Sequence, residues 1–288
     1  MKTISFIPTR LALPVFLFSL ISFTVVAQKY PKVQLLSLRA PDNIKIDGRL
    51  TEWDGRLQAY NYADRIYYTI SNDDNKLYLT IQTAGPHAND KILMGGIIFT
   101  ISHKTEKRER IKDADNISVR FPMLYPNSIE TMLASNNLYT ELKNDSLANR
   151  KKLDSLIVAI NKQAMRSSKE IQVIGVNEIT DPLISVYNKE GILAAGQFNS
   201  KMFYTYELAI PLKYLGLSVN DAAKFSYNIR LNGAPDNSAP VFVSTTVTAQ
   251  VATPSTLPIM DRLGIPDPDY LYTHNPTDFW GEYTLAKK

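Results

Sequence analysis

The residues of this chain whose types and spacing could do chemistry are its crowded carboxylates, its histidines and its acidic turns. Asp47, Glu52 and Asp54 gather around Trp53. That is the composition of an acid pair beside an apolar wall, and glycoside hydrolysis needs two carboxyl groups held roughly 5–10 Å apart. A plainer role competes: Asp47-Gly48 makes a tight turn, Glu52 and Asp54 serve local hydrogen bonds, and Trp53 packs on the core. The three histidines, His87, His103 and His274, lie far apart and each reads as a loop residue facing solvent rather than as part of a zinc set or a general base. Asp73, Asp74 and Asn75 offer oxygen ligands suited to structural calcium, and hydrogen bonds that stabilise their turn account for them equally well.

Other chemistry is excluded outright. The chain has no cysteine, so thiol catalysis and disulfides are impossible. It has no Gly-x-Ser-x-Gly elbow, His-Glu-x-x-His helix, phosphate-cradling Gly-rich loop or EF-hand spacing. No catalytic residue is assigned and the reading leans away from an enzyme. A glycan hydrolase with an unrecognised pair among the 28 acidic residues stays open as an alternative.

The elements that must position these residues are mainly strands. Ile66, Tyr68 and Ile70 alternate with Arg65, Tyr67 and Thr69, and Ser71 to Asn75 then turns the chain into Leu77, Leu79 and Ile81, which predicts a β-hairpin. Ile97, Phe99 and Ile101 repeat the pattern after Gly95-Gly96, with Ile117, Val119 and Phe121 across a charged tip at His103 to Asp113. Tyr204, Tyr206, Leu208 and Ile210 form a strand that stops at Pro211; a short helical turn follows, ending at Gly216. Phe225, Tyr227, Ile229 and Leu231 form another strand, for which Val241, Val243, Thr245 and Val247 are read as a partner. Sixteen tyrosines and eleven phenylalanines suit such a sheet-rich chain.

A helical insertion interrupts the strands at about 125–169. Leu153, Leu156, Ile157, Ile160 and Ala164 recur at helical spacing, with Asp145 or Ser146 as a cap, predicting a helix over 146–166. Met132, Leu133, Leu138 and Leu142 give a partial stripe for a weaker one over 128–142. After Ala252 five prolines predict a long surface loop, so 253–278 is a place to look for a site. Phe279 to Leu285 reads as a last strand returning to the sheet.

At the other end, Lys2 and Arg10 precede an apolar run from Leu11 to Val26 that stops at Ala27. Residues 1–27 read as a cleavable signal peptide rather than a membrane anchor, since the run is interrupted and shorter than the roughly 20 residues a span needs. The expected location is therefore secreted or periplasmic, with residues 28–288 as a single domain and no transmembrane segment in the mature chain. Of 32 Lys and Arg against 28 Asp and Glu, the leader carries two basic residues and no acidic one, leaving 30 against 28. So balanced a charge gives no support to a nucleic-acid partner.

Ile44-Lys45-Ile46-Asp47-Gly48-Arg49-Leu50-Thr51-Glu52-Trp53 resembles the opening of the family 9 carbohydrate-binding modules. The hairpin Ile66–Ile70 and Asn72–Leu79, the strand Tyr206–Leu212 and Asp278-Phe279-Trp280-Gly281 are similar to later parts of that family, in the same order. The resemblance implies a mainly β, jelly-roll-like β-sandwich, non-catalytic binding of a carbohydrate ligand, and in some members structural calcium. It departs from the family in having no second tryptophan to clamp a sugar, Trp53 being assigned to structure, and in carrying the helical insertion.

A pyranose presents an apolar C–H face that an aromatic ring covers, while Asn and Arg bond the hydroxyls. Trp280, Asn275, Tyr272 and Arg230 are the candidates for such a site, with packing or loop anchoring the competing role for each. A further alternative is an envelope structural or assembly protein that docks its partner through the helical insert.

Overall fold

The computed structural model describes residues 30–55, 57–142, 147–221, 223–234 and 267–288. Its strands in chain order are β1 (Ala59–Asn61), β2 (Ile66–Asn72), β3 (Lys76–Thr83), β4 (Ile97–Ser102), β5 (Ile117–Phe121), β6 (Glu170–Ile174), β7 (Leu183–Ser185), β8 (Leu193–Phe198), β9 (Tyr204–Pro211), β10 (Lys224–Leu231) and β11 (Thr277–Thr284). They form two antiparallel sheets, one of five strands in the order β1-β2-β3-β9-β8 and one of six in the order β11-β10-β4-β5-β6-β7. The fold is mainly β, with helices inserted between strands.

The two sheets face one another across a single cluster of buried side chains. Alternation along each strand sends every second residue there. Tyr68 of β2 meets Tyr227 of β10, hydroxyl to hydroxyl at 3.1 Å, and the rings of Phe121 on β5 and Tyr206 on β9 lie 6.1 Å apart. The predicted hairpins form: Ile70 pairs with Leu79, and Phe99 with Val119. The strand ending at Pro211 leads into a 3-10 turn, Leu212–Leu215, closed by Gly216 at φ 61°.

The segment between residues 33 and 40 closes one side of the sandwich. Gln34 satisfies the backbone of Ile70 on β2 through both ends of its amide. Ser37 Oγ donates to the Thr284 carbonyl of β11, and Arg39 bridges to Asn72. Residues 44–55 then cross the outer face of the five-stranded sheet. Beneath them lies a cross-strand row of Thr69, Thr80 and Glu207, all buried although they point away from the core.

Among the described residues five α-helices punctuate the strands: α1 (Pro86–Gly95), α2 (Lys107–Lys112), α3 (Pro126–Leu142), α4 (Leu147–Ser167) and α5 (Pro268–His274). The last two of the insertion, α3 and α4, match the predicted positions, and α4 is fastened to β8 by Asn161, whose amide donates to the Phe198 carbonyl and accepts from its N–H. Two expectations need correction. His87 and His274 lie on α1 and α5 rather than in loops, because a proline at the first helical position begins each of these short helices. The described part of the proline-rich tract likewise holds α5 and the start of β11. The charged tip between β4 and β5 contains the exposed helix α2. Val241 to Val247 and residues 1–27, expected to be a signal peptide, lie outside the described residues; both edges of β10 are taken, by β4 and β11. Among the described residues no helix is long and apolar enough to cross a membrane.

Candidate functional site

On β11, alternation turns Phe279 and Tyr283 inward and Asp278, Trp280 and Glu282 outward. Gly281 lies over the Tyr227 ring, where a Cβ would fall 2.3 Å from its phenol carbon, so glycine is what lets the strand lie flat. The Trp280 indole is half-buried and lines an open depression of about 490 Å³ together with residues 33–37, Arg110, Lys224 and Glu282. The Arg110 guanidinium sits 4.8 Å from the ring centre. Lys224 and Glu282 pair at 3.0 Å on the rim, and Asn228, opposite Trp280, donates to Asp278 at 2.7 Å.

Arg230 shares this face, one pair further along at Asp278, and is exposed, its Nε donating to Asn232 Oδ1. Tyr272 and Asn275 sit elsewhere, on and just after α5, and neither lines the depression. Asn275 caps the helix by donating to the Leu271 carbonyl. The Tyr272 hydroxyl donates to the Asp64 carbonyl, and its ring is held by the Arg65 guanidinium at 4.2 Å and the Lys91 ammonium at 4.4 Å.

That ring packs on a buried polar cluster. Lys91 Nζ donates to Thr277 Oγ at 2.8 Å, and the Thr277 hydroxyl donates to Asp64 Oδ1. Burial pushes the Asp64 carboxyl up to about 6 against the pull of Thr277 and Lys91, and pushes Lys91 down to about 8. Both side chains are fully buried, so the cluster ties α1, α5 and β11 together and offers nothing to a solute.

The opening motif builds a second concavity. Glu207 Oε2 accepts the N–H of Asp47 and of Gly48 at 2.9 and 2.8 Å, and burial nonetheless pushes the Glu207 carboxyl up to about 7. Gly48, at φ 79°, approaches β8 so closely that a Cβ would lie 2.9 Å from the Gln197 nitrogen. Gln197 returns its amide to the Asp47 carbonyl at 2.6 Å. Between this turn, β8 and α4 runs a groove of about 570 Å³, lined by Asp47, Arg49, Asn161, Met165, Tyr187 and Gln197 among others. A neighbouring depression of about 440 Å³ shares Arg49, Asn161 and Gln197. Sequence reasoning missed this place, because Tyr187 and Gln197 belong to no motif and meet Arg49 only in the folded chain.

The acidic turn is occupied by its own bonds. Asp73 accepts from the N–H of Asn75 and Lys76 and from the Tyr78 hydroxyl, and Asp74 pairs with Arg39 and Lys288. Among the described residues no three His, Cys, Asp or Glu side chains gather to hold a metal. Trp53 is buried, and Glu52 accepts a bond from the Thr51 hydroxyl.

No family model and no curated protein matches the chain. One solved structure, a Bacteroides uniformis protein provisionally named as carbohydrate-binding, is similar at 12% identity and a TM-score of 0.31, over 70% of this chain and 84% of the other. So slight a likeness carries neither fold nor ligand across.

Proposed function

We propose that the protein binds carbohydrate without transforming it, and that Trp280 is the platform. The observation that carries this reading is an indole on the outer face of the six-stranded sheet, opening onto a depression of about 490 Å³ rimmed by charged side chains. Small-molecule sites fall in the range of about 300–1,000 Å³ and combine an apolar wall with a few polar groups. Arg230 adds donors on the same face. The order of motifs that resembles the family 9 modules supports the same class of ligand, and the apolar run at 11–26 supports export to the periplasm or beyond.

The Arg110 guanidinium must leave the indole for a pyranose to stack there. Arg110 is partly buried and also donates to the Thr105 carbonyl and the Ser226 hydroxyl at 3.5 Å, and its contact with the ring is itself worth about 0.5–1 kcal/mol. Trp280→Ala is expected to abolish retention on the neutral glycans of an array while leaving the protein's melting temperature nearly unchanged. Unfolding of the variant would make Trp280 a core residue and end the proposal.

A further inference from the structure

We infer that the groove between the Asp47–Arg49 turn and α4 is a second saccharide site, selective for sugar units that carry a carboxylate. It shares with the reading above the ligand class and none of the surface. Tyr187 lines this groove and is 79% exposed. Its phenol offers the apolar face that a pyranose needs.

Charge sets the selectivity. Among the described residues the Arg49 guanidinium has no acidic partner, although Asp47 lies two residues away, because Asp47 Oδ1 is turned to the Arg49 N–H. The Lys169 ammonium lies 5.6 Å from the Tyr187 ring centre. Arg49 and Asp47 line the groove, and Lys169 adds a second cation beside the Tyr187 ring. A free guanidinium presents a planar fork that matches a carboxylate through two parallel bonds, which a neutral sugar cannot return.

Hydroxyls also find partners. Gln197 spends its amide nitrogen on the Asp47 carbonyl and keeps its oxygen, and Asp47 keeps its second carboxylate oxygen, so both accept from a sugar. The wall is fixed before binding: Asn161 clips α4 to β8, and Glu207 anchors the turn from below. Little ordering is then left for the ligand to impose.

The test is affinity electrophoresis of the mature chain in gels containing polygalacturonate, its fully methyl-esterified form, or polyglutamate. Polygalacturonate is expected to retard the protein, less so as salt rises, and the ester much less. Arg49→Gln and Tyr187→Ala should each weaken retardation at least tenfold with the melting temperature kept, while Trp280→Ala leaves it unchanged. No retardation, equal retardation of Arg49→Gln, or equal retention by the ester would overturn the site. Polyglutamate held as strongly as polygalacturonate would overturn the saccharide assignment. Loss of neutral-glycan binding in Trp280→Ala alone reports on the first site, so the two proposals fail separately.

Discussion

The outer faces of the two sheets have opposite fates. On the five-stranded sheet, Thr69, Thr80 and Glu207 point outward and are nonetheless buried, because residues 44–55 lie over them, with Trp53 at 8% exposure. On the six-stranded sheet, Arg230, Asp278 and Glu282 stay in solvent, Ser226 and Asn228 of the same row are buried, and Trp280, partly covered by Arg110, opens onto a depression. The same period-two rule thus places one polar row under a roof and leaves part of another in water. Facing outward makes a residue available only when nothing crosses above it.

The comparison is broken most sharply at the two tryptophans. Trp53→Ala should cost about 3–5 kcal/mol, as for a large aromatic removed from a packed interior, read from urea unfolding of residues 28–288. Trp280→Ala should move that midpoint far less. Equal losses would mean that both faces are structural.

Next in size is the roof's own anchor. Glu207 holds its proton more tightly folded than unfolded, since burial raises it from the ordinary 4.5 to about 7. Its contribution to stability is therefore fully present below about 4.5, declines as pH rises, and is lost above about 7. Asp64 and Asp90, raised to about 6, act in the same direction at lower pH, so the decline between 6 and 7 belongs mainly to Glu207. Glu207→Gln should flatten a fall on the order of 2 kcal/mol, followed by urea midpoints from pH 5 to 8. An unchanged profile would show that this carboxylate is already hydrated.

The smallest effect sharpens the open face. Arg110→Ala removes the cation resting on Trp280 and should tighten neutral-glycan binding about two- to fivefold, the equivalent of about 0.5–1 kcal/mol. Titration calorimetry with an array-positive glycan checks it. Weaker binding would instead make Arg110 a contact to the sugar.

What the chain decides locally could be read from it directly. The hairpin of β2 and β3, the β4–β5 pair, the halt of β9 at Pro211 and the turn closed by Gly216 each rest on neighbours within a few residues: alternation, a proline without an N–H, a glycine at positive φ. The helix α4 was legible from its 3.6-residue stripe for the same reason. By contrast β8, Leu193–Phe198, is poor in β-branched residues, and it is a strand because β9 pairs with it and Gly196 leaves space for the Tyr204 ring.

Which tryptophan is covered, why Glu207 is buried, that Tyr272 is clasped by two cations while Trp280 is reached by solvent, and that Arg49 shares a groove with Tyr187 were all decided by tertiary structure. Each depends on segments more than a hundred residues apart being brought together, or on a roof laid over a face. Periodicity tells a strand which side is out, and only the packed chain determines what lies on that side.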